Sequence, residues 1–214
     1  QIRTDEIMKK AIYILLTLAL SFTAIGSHAQ ANNYLDKVVE QLQNAKGITA
    51  DFTLQGDANS GMSMKGSIKM KGKMFTIATN DLTTWYDGKT MWSYAPCIDE
   101  VNITNPTHRE LAEVNPYILL DNYNKSYTVK EIQSQQKGER QFQLTPTKRN
   151  TTIAQIVLTI ATANNAPISF EITDNANRVV VVAITNYNDK VTLPASTFKF
   201  DSKQYPQTTI IDLR

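Results

Sequence analysis

The spacing of apolar residues changes once along the chain, from a helical period to a strand period. Residues 32–46 carry Leu35, Val38, Val39 and Leu42 at the i, i+3, i+4, i+7 positions of one helical face, and Gly47 stands where a C-terminal cap belongs. One amphipathic helix is predicted there. From Ile48 the period is two: Ile48, Ala50, Phe52 and Leu54 alternate with Thr49, Asp51, Thr53 and Gln55. The next run is stricter, with Met62, Met64, Ile68 and Met70 on one parity and Ser63, Lys65, Ser67, Lys69 and Lys71 on the other. Further alternating runs cover residues 127–132, 141–145, 156–160, 168–172 and 179–184, separated by turn-prone segments such as Lys137-Gly138 and Asp174-Asn175-Ala176-Asn177. Asp87-Gly88, between the aromatic-rich flanks Trp85-Tyr86 and Met91-Trp92, predicts a hairpin with a two-residue turn. Only residues 106–120 interrupt the strands with a helical pattern, Leu111, Val114 and Ile118 sharing a face and Pro116 breaking or kinking it.

The predicted class is therefore mainly β with a few helices. A sheet with one apolar face must bury that face on something, and helices are scarce here. About ten strands is near the number at which a twisted sheet curls, so the expected product is a partly closed antiparallel barrel with one or two helices across its mouth. So few helical side chains leave the interior underfilled, and an apolar cavity is expected.

The N-terminus sets the compartment. Met8-Lys9-Lys10 is a positive start, residues 11–25 an apolar run, and Ser27-His28-Ala29 a small-x-small cleavage site, the order of a secretory signal peptide. The apolar run is shorter than the roughly 20 residues needed to cross a bilayer. Residues 1–7 are read as an upstream remnant, 8–29 as the signal peptide and 30–214 as a single domain outside the cytoplasm. No cysteine stands directly after the cleavage site, so no lipid anchor of its own is expected. The formal net charge of +2 gives no electrostatic case for nucleic acid.

Catalytic chemistry finds little to stand on. His108 is the only histidine after residue 29, in Thr107-His108-Arg109-Glu110 at a helix start, where an exposed position is expected. No two-histidine, Cys-x-x-Cys or glycine-rich phosphate-loop spacing is present, so no enzyme activity, metal or cofactor is predicted. Cys97, the single cysteine, reads as a small buried filler or a free thiol. Lys65, Lys69, Lys71 and Lys73 form a row open to two readings, a solvated strand face or a dock for acidic partners or lipid headgroups. Met62, Met64, Met70, Met74 and Met91 cluster within a short stretch, as ordinary core or as an adaptable cavity wall.

The segment Trp85-Tyr86-Asp87-Gly88-Lys89-Thr90-Met91-Trp92-Ser93-Tyr94-Ala95-Pro96, followed by Glu100-Val101-Asn102-Ile103-Thr104, resembles the periplasmic outer-membrane lipoprotein carrier family, the LolA-like proteins. The signal peptide, the first helix, Ala50-Asp51-Phe52, Asn115-Pro116 and the ending Phe198-Lys199-Phe200 and Ile210-Ile211-Asp212 fall in matching order. The resemblance implies an unclosed half-barrel with a helical lid, whose apolar cavity accepts lipoprotein acyl chains from an inner-membrane ABC lipoprotein-releasing transporter and carries them, as a monomeric periplasmic chaperone, toward the outer membrane and an acceptor there. Members of that family often carry an Arg-Pro pair after the second strand. This chain reads Lys69-Met70-Lys71-Gly72-Lys73-Met74, so lid control is expected to differ.

On that reading the acyl chains are expected to contact Phe52, Leu54, Met64, Ile68, Met70, Trp85, Trp92, Leu111, Ile118 and Leu119. Across a two-residue turn Trp85 would pair with Thr90, which puts Trp85 and Trp92 on one face, expected to be the concave one. The alternative is a lipid- or lipoprotein-sensing module of the same fold that does not transport its ligand.

Overall fold

The computed structural model describes residues 25–57, 61–148 and 151–214. Helix α1 (Ile25–Asn44) leads into β1 (Ile48–Gly56), β2 (Ser63–Lys71), β3 (Met74–Thr79), β4 (Thr83–Tyr86), β5 (Met91–Ala95) and β6 (Glu100–Thr104). Then come α2 (His108–Val114), a 3₁₀ turn (Pro116–Leu120) and α3 (Tyr123–Ser126), followed by β7 (Tyr127–Ile132), β8 (Glu139–Pro146), β9 (Ile153–Ala161), β10 (Pro167–Asp174) and β11 (Val179–Asn188). Two further 3₁₀ turns, Ala195–Phe198 and Ser202–Gln204, precede β12 (Thr209–Asp212).

All the strands join one 12-stranded sheet in the order β12-β6-β5-β4-β3-β2-β1-β11-β10-β9-β8-β7. Every neighbouring pair is antiparallel except β12 and β6. The edges β7 and β12 do not meet, so the barrel is unclosed, as the pattern of strands and helices predicts. Sheet register lines the apolar residues of successive strands into rows. One row runs Phe142, Leu158, Phe170, Val182, Leu54, Met64 across six strands. Its first three members are fully buried and its last is 44% exposed, so the row passes from packed core to open surface.

Helix α1 closes one end of the curl. Leu35, Val38 and Leu42 are buried in the core, as their spacing predicts. Beside them Tyr34 stacks on Phe142, and the Arg140 guanidinium lies 3.8 Å over the Tyr34 ring while bonding both carboxylate oxygens of Glu131 at 2.7 Å. The helix begins upstream of the expected residue 32 and crosses the expected cleavage point; residues 8–24 of the expected signal peptide lie outside the described residues. Gly47 is not a left-handed cap. A Cβ there would stand 2.7 Å from the Leu193 Cγ, so close passage of the C-terminal segment requires the glycine.

Two more expectations are corrected. The Asp87-Gly88 hairpin has a four-residue loop, with Tyr86 opposite Met91 and Trp85 opposite Trp92. The Asp87 carboxylate accepts the N–H groups of Lys89 and Thr90 at 3.0 and 2.9 Å, and Asp87 N–H donates to the Thr90 carbonyl, closing the wider turn. Cys97 is exposed on the β5–β6 turn and fills no core space.

Candidate functional site

A cavity of about 860 Å³ lies between the concave sheet face and the segment 108–121. Phe52, Leu54, Met64, Ile68 and Ile77 form one wall, from β1 to β3, and Ile172, Val180, Val182 and Ile184 the other, from β10 and β11. Ala112, Val114, Tyr117 and Leu119 cover it. Of the charged residues that reach it, Asp81, Arg109, Lys125 and Lys148 are exposed and Asp121 is partly buried, so an apolar interior carries a charged rim. A space of this kind offers mainly non-directional contacts, its charged groups at the margin.

The cover is built from local signals. Thr107 begins α2 with a reciprocal capping box: its N–H donates to Glu110 Oε2 at 2.7 Å, and the Glu110 N–H donates to Thr107 Oγ1. The Thr107 N–H, and then its hydroxyl, hold the Glu110 carboxyl below its ordinary range. Asn115 ends α2 and starts the 3₁₀ turn, accepting the Tyr117 N–H at 3.1 Å, while its own buried amide reaches Met70 Sδ. Pro116 at the start of that turn makes the predicted break. Two longer ties fix the far end: Tyr123 OH donates to Asp36 Oδ1 of α1 at 2.8 Å, and Lys73 Nζ lies 3.4 Å from Asp121 Oδ2. His108, exposed as expected, stands 3.9 Å from the same Asp121 oxygen.

Residues 21–176 match the family model described as outer membrane lipoprotein carrier protein LolA. The chain belongs to that family. The outer-membrane lipoprotein carrier protein of Vibrio campbellii is 31% identical over 155 residues, covering 67% of this chain and 70% of its own. That of Vibrio parahaemolyticus is 29% identical over 161 residues, covering 70% and 72%. An uncharacterized conserved protein of Thermus thermophilus shares the fold, with a TM-score of 0.58 at 14% identity over 86% of this chain and 99% of its own.

Against this carrier fold the expected cavity residues divide into four groups. Phe52, Leu54, Met64, Ile68 and Leu119 share the wall of the main cavity. Met70 and Ile118 line a second hollow of about 490 Å³ under α1, and Leu111 is buried in the core beside neither space. Trp85 and Trp92 do share a face, but it is the convex one. Their neighbours Thr84 and Tyr86 point inward, while Trp85 packs edge-on against Phe200 and Tyr205 of the C-terminal segment at 5.6 and 6.0 Å. Alternation fixes which residues face together, and the aromatic segment that follows β11 supplies the burial that the concave side was expected to give.

The wall from β10 and β11 was not anticipated. Ile172, Val180, Val182 and Ile184 alternate plainly in the sequence, but only the β1–β11 pairing brings Val182 opposite Leu54 and Ile184 opposite Phe52. Of the lysine row, Lys65 and Lys69 are exposed, Lys71 Nζ donates to the Leu193 carbonyl at 3.0 Å, and Lys73 reaches the lid at Asp121.

Proposed function

We propose that this protein is a periplasmic lipoprotein carrier that holds the acyl chains of its cargo in the 860 Å³ cavity and moves them between the inner and outer membranes. The observation that carries this reading is the apolar wall under a separately anchored lid. A lipoprotein anchor holds two or three acyl chains; leaving about forty methylenes in water costs on the order of 30 kcal/mol at ~0.8 kcal/mol each. A carrier must cover that surface and still release it, which favours flexible contacts such as Met64 at the mouth over a tight polar site. Lys73, on the β2–β3 turn, holds Asp121 of the lid from the region where relatives often have Arg-Pro; we assign it the lid contact in this chain. An exposed pair of this kind is worth at most about 1 kcal/mol, so this contact adds little to the cost of opening the lid.

The test is native mass spectrometry of the protein from a periplasmic extract, with bound lipid identified. A complex with diacylated or triacylated lipoprotein is expected. Met64→Glu, at an exposed position of the mouth, is expected to abolish that complex while leaving the unfolding midpoint unchanged. An empty protein that also fails to release lipoprotein from spheroplasts overturns the reading.

A further inference from the structure

The main cavity is not the only apolar space, and Tyr117 and Asp121 border both. The second hollow, about 490 Å³, lies between α1 and the lid. Leu42, Met70, Ile118 and Leu120 make a buried apolar floor, and exposed Gln43 and Lys73 sit at its rim. Tyr117 lines this hollow and the main cavity alike.

Tyr117 is held unevenly. Its backbone is anchored, because Asn115 Oδ1 accepts its N–H and Asn115 is itself bonded to Met70 Sδ. Its side chain is not: the hydroxyl is buried without a hydrogen-bond partner, and an edge-on contact with Phe170 at 5.3 Å is its ring pairing. The nearby Tyr187 hydroxyl, turned inward after the β-bulge at Asn186, is also buried and unpartnered. A buried hydroxyl with no partner gives up the hydrogen bonds it makes in water, so rotating the ring away sacrifices packing alone.

We infer that the hollow behind Tyr117 is a second acyl-chain compartment, and that Tyr117 is the movable partition through which the far end of a long chain, or an additional chain, enters it. This rests on the reading of the main cavity as an acyl-chain site. It makes chain length a determinant of affinity, since each methylene that finds cover is worth roughly fourfold.

The experiment compares octanoyl and palmitoyl forms of one synthetic lipopeptide, bound to wild type, Val39→Trp and Tyr117→Ala, with circular dichroism and the unfolding midpoint confirming each fold. Val39 lines the second hollow and not the main cavity. Its replacement by Trp is expected to lower palmitoyl affinity at least about tenfold, the worth of two or so methylenes, and to leave octanoyl affinity unchanged. Tyr117→Ala, which removes the partition, is expected to raise the ratio of palmitoyl to octanoyl affinity. Equal effects on both probes in both variants overturn the second compartment while leaving the main cavity intact. Failure of wild type to bind either probe overturns the acyl-chain reading itself, and the second compartment with it.

Discussion

Phe52 lies across the backbone of Gly66, its partner on β2: a Cβ on that glycine would stand 2.6 Å from the Phe52 Cζ and 2.5 Å from the Ala78 carbonyl oxygen. The glycine therefore positions a cavity-lining ring by having no side chain of its own. Gly66→Ala forces Phe52 toward the cavity and also strains the backbone of β3, which cannot yield as a side-chain tip can. A loss of about 1–3 kcal/mol is expected from such overpacking. Chemical denaturation is expected to show the lowered midpoint, and titration with a fluorescent fatty-acyl probe a weakened affinity.

The convex placement of the tryptophans has a direct optical consequence. The chain contains two, Trp85 and Trp92, paired across β4 and β5. Filling the cavity on the other side of the sheet is expected to leave their emission maximum unchanged; a shift on lipid binding would return them to the concave face. Trp85→Ala breaks the cluster with Phe200 and Tyr205 and is expected to cost about 2 kcal/mol, less than the ~3–5 of a fully buried aromatic. Acyl-probe affinity is expected to survive that loss.

The same residues show how far the sequence could be read. Alternation locates β1, β2 and β7 to β11 because each strand presents one apolar row, and it puts the two tryptophans on one face although the two-residue turn pairs Trp85 with Thr90 where the structure pairs it with Trp92. A shift of register by two residues leaves every side chain on its original face. Which face is concave was not legible. The C-terminal segment has no periodicity of its own, yet Phe198 and Val101 are fully buried between it and the outside of the sheet, and Thr76 Oγ1 donates to the Thr197 carbonyl there. The missing half of the cavity wall was hidden for another reason. Val182 meets Leu54, and Ile184 meets Phe52, through a pairing of strands from opposite ends of the chain, which local patterning does not encode.

Lid order is expected to depend on pH through Glu110. The Thr107 N–H lowers its folded-state pKa below that of the unfolded chain. A depressed carboxyl contributes stability that is present above the unfolded pKa and lost as pH falls through the folded value. The protection of amides in α2, relative to their intrinsic exchange rate at each pH, is expected to fall on acidification across and below the usual carboxylate range. Glu110→Gln, which keeps a capping-box side chain but cannot ionise, is expected to remove that dependence while leaving the helix formed at neutral pH. Equal acid sensitivity in the two proteins would assign the change to other carboxyls.

The clamp on α1 rests on shape as much as on charge. Arg140 bonds Glu131 through two nitrogens and stacks on Tyr34, and its hydrogen bonds to Glu131 raise its pKa further. Lysine keeps the charge but neither the planar fork nor the stacking surface. Both partners are partly solvated, so the ion pair itself is worth little, and Arg140→Lys is expected to cost about 1 kcal/mol, chiefly through the lost stack. Tyr34→Phe keeps the ring on Phe142 and under Arg140 and gives up the hydroxyl bond to Asn165 Oδ1, with an expected cost of about 0.5–1 kcal/mol. Hydrogen exchange within α1 distinguishes the two. Faster exchange in Arg140→Lys than in Tyr34→Phe is expected if stacking holds the helix, and the reverse order would place the hold in the hydrogen bond to the β9–β10 turn.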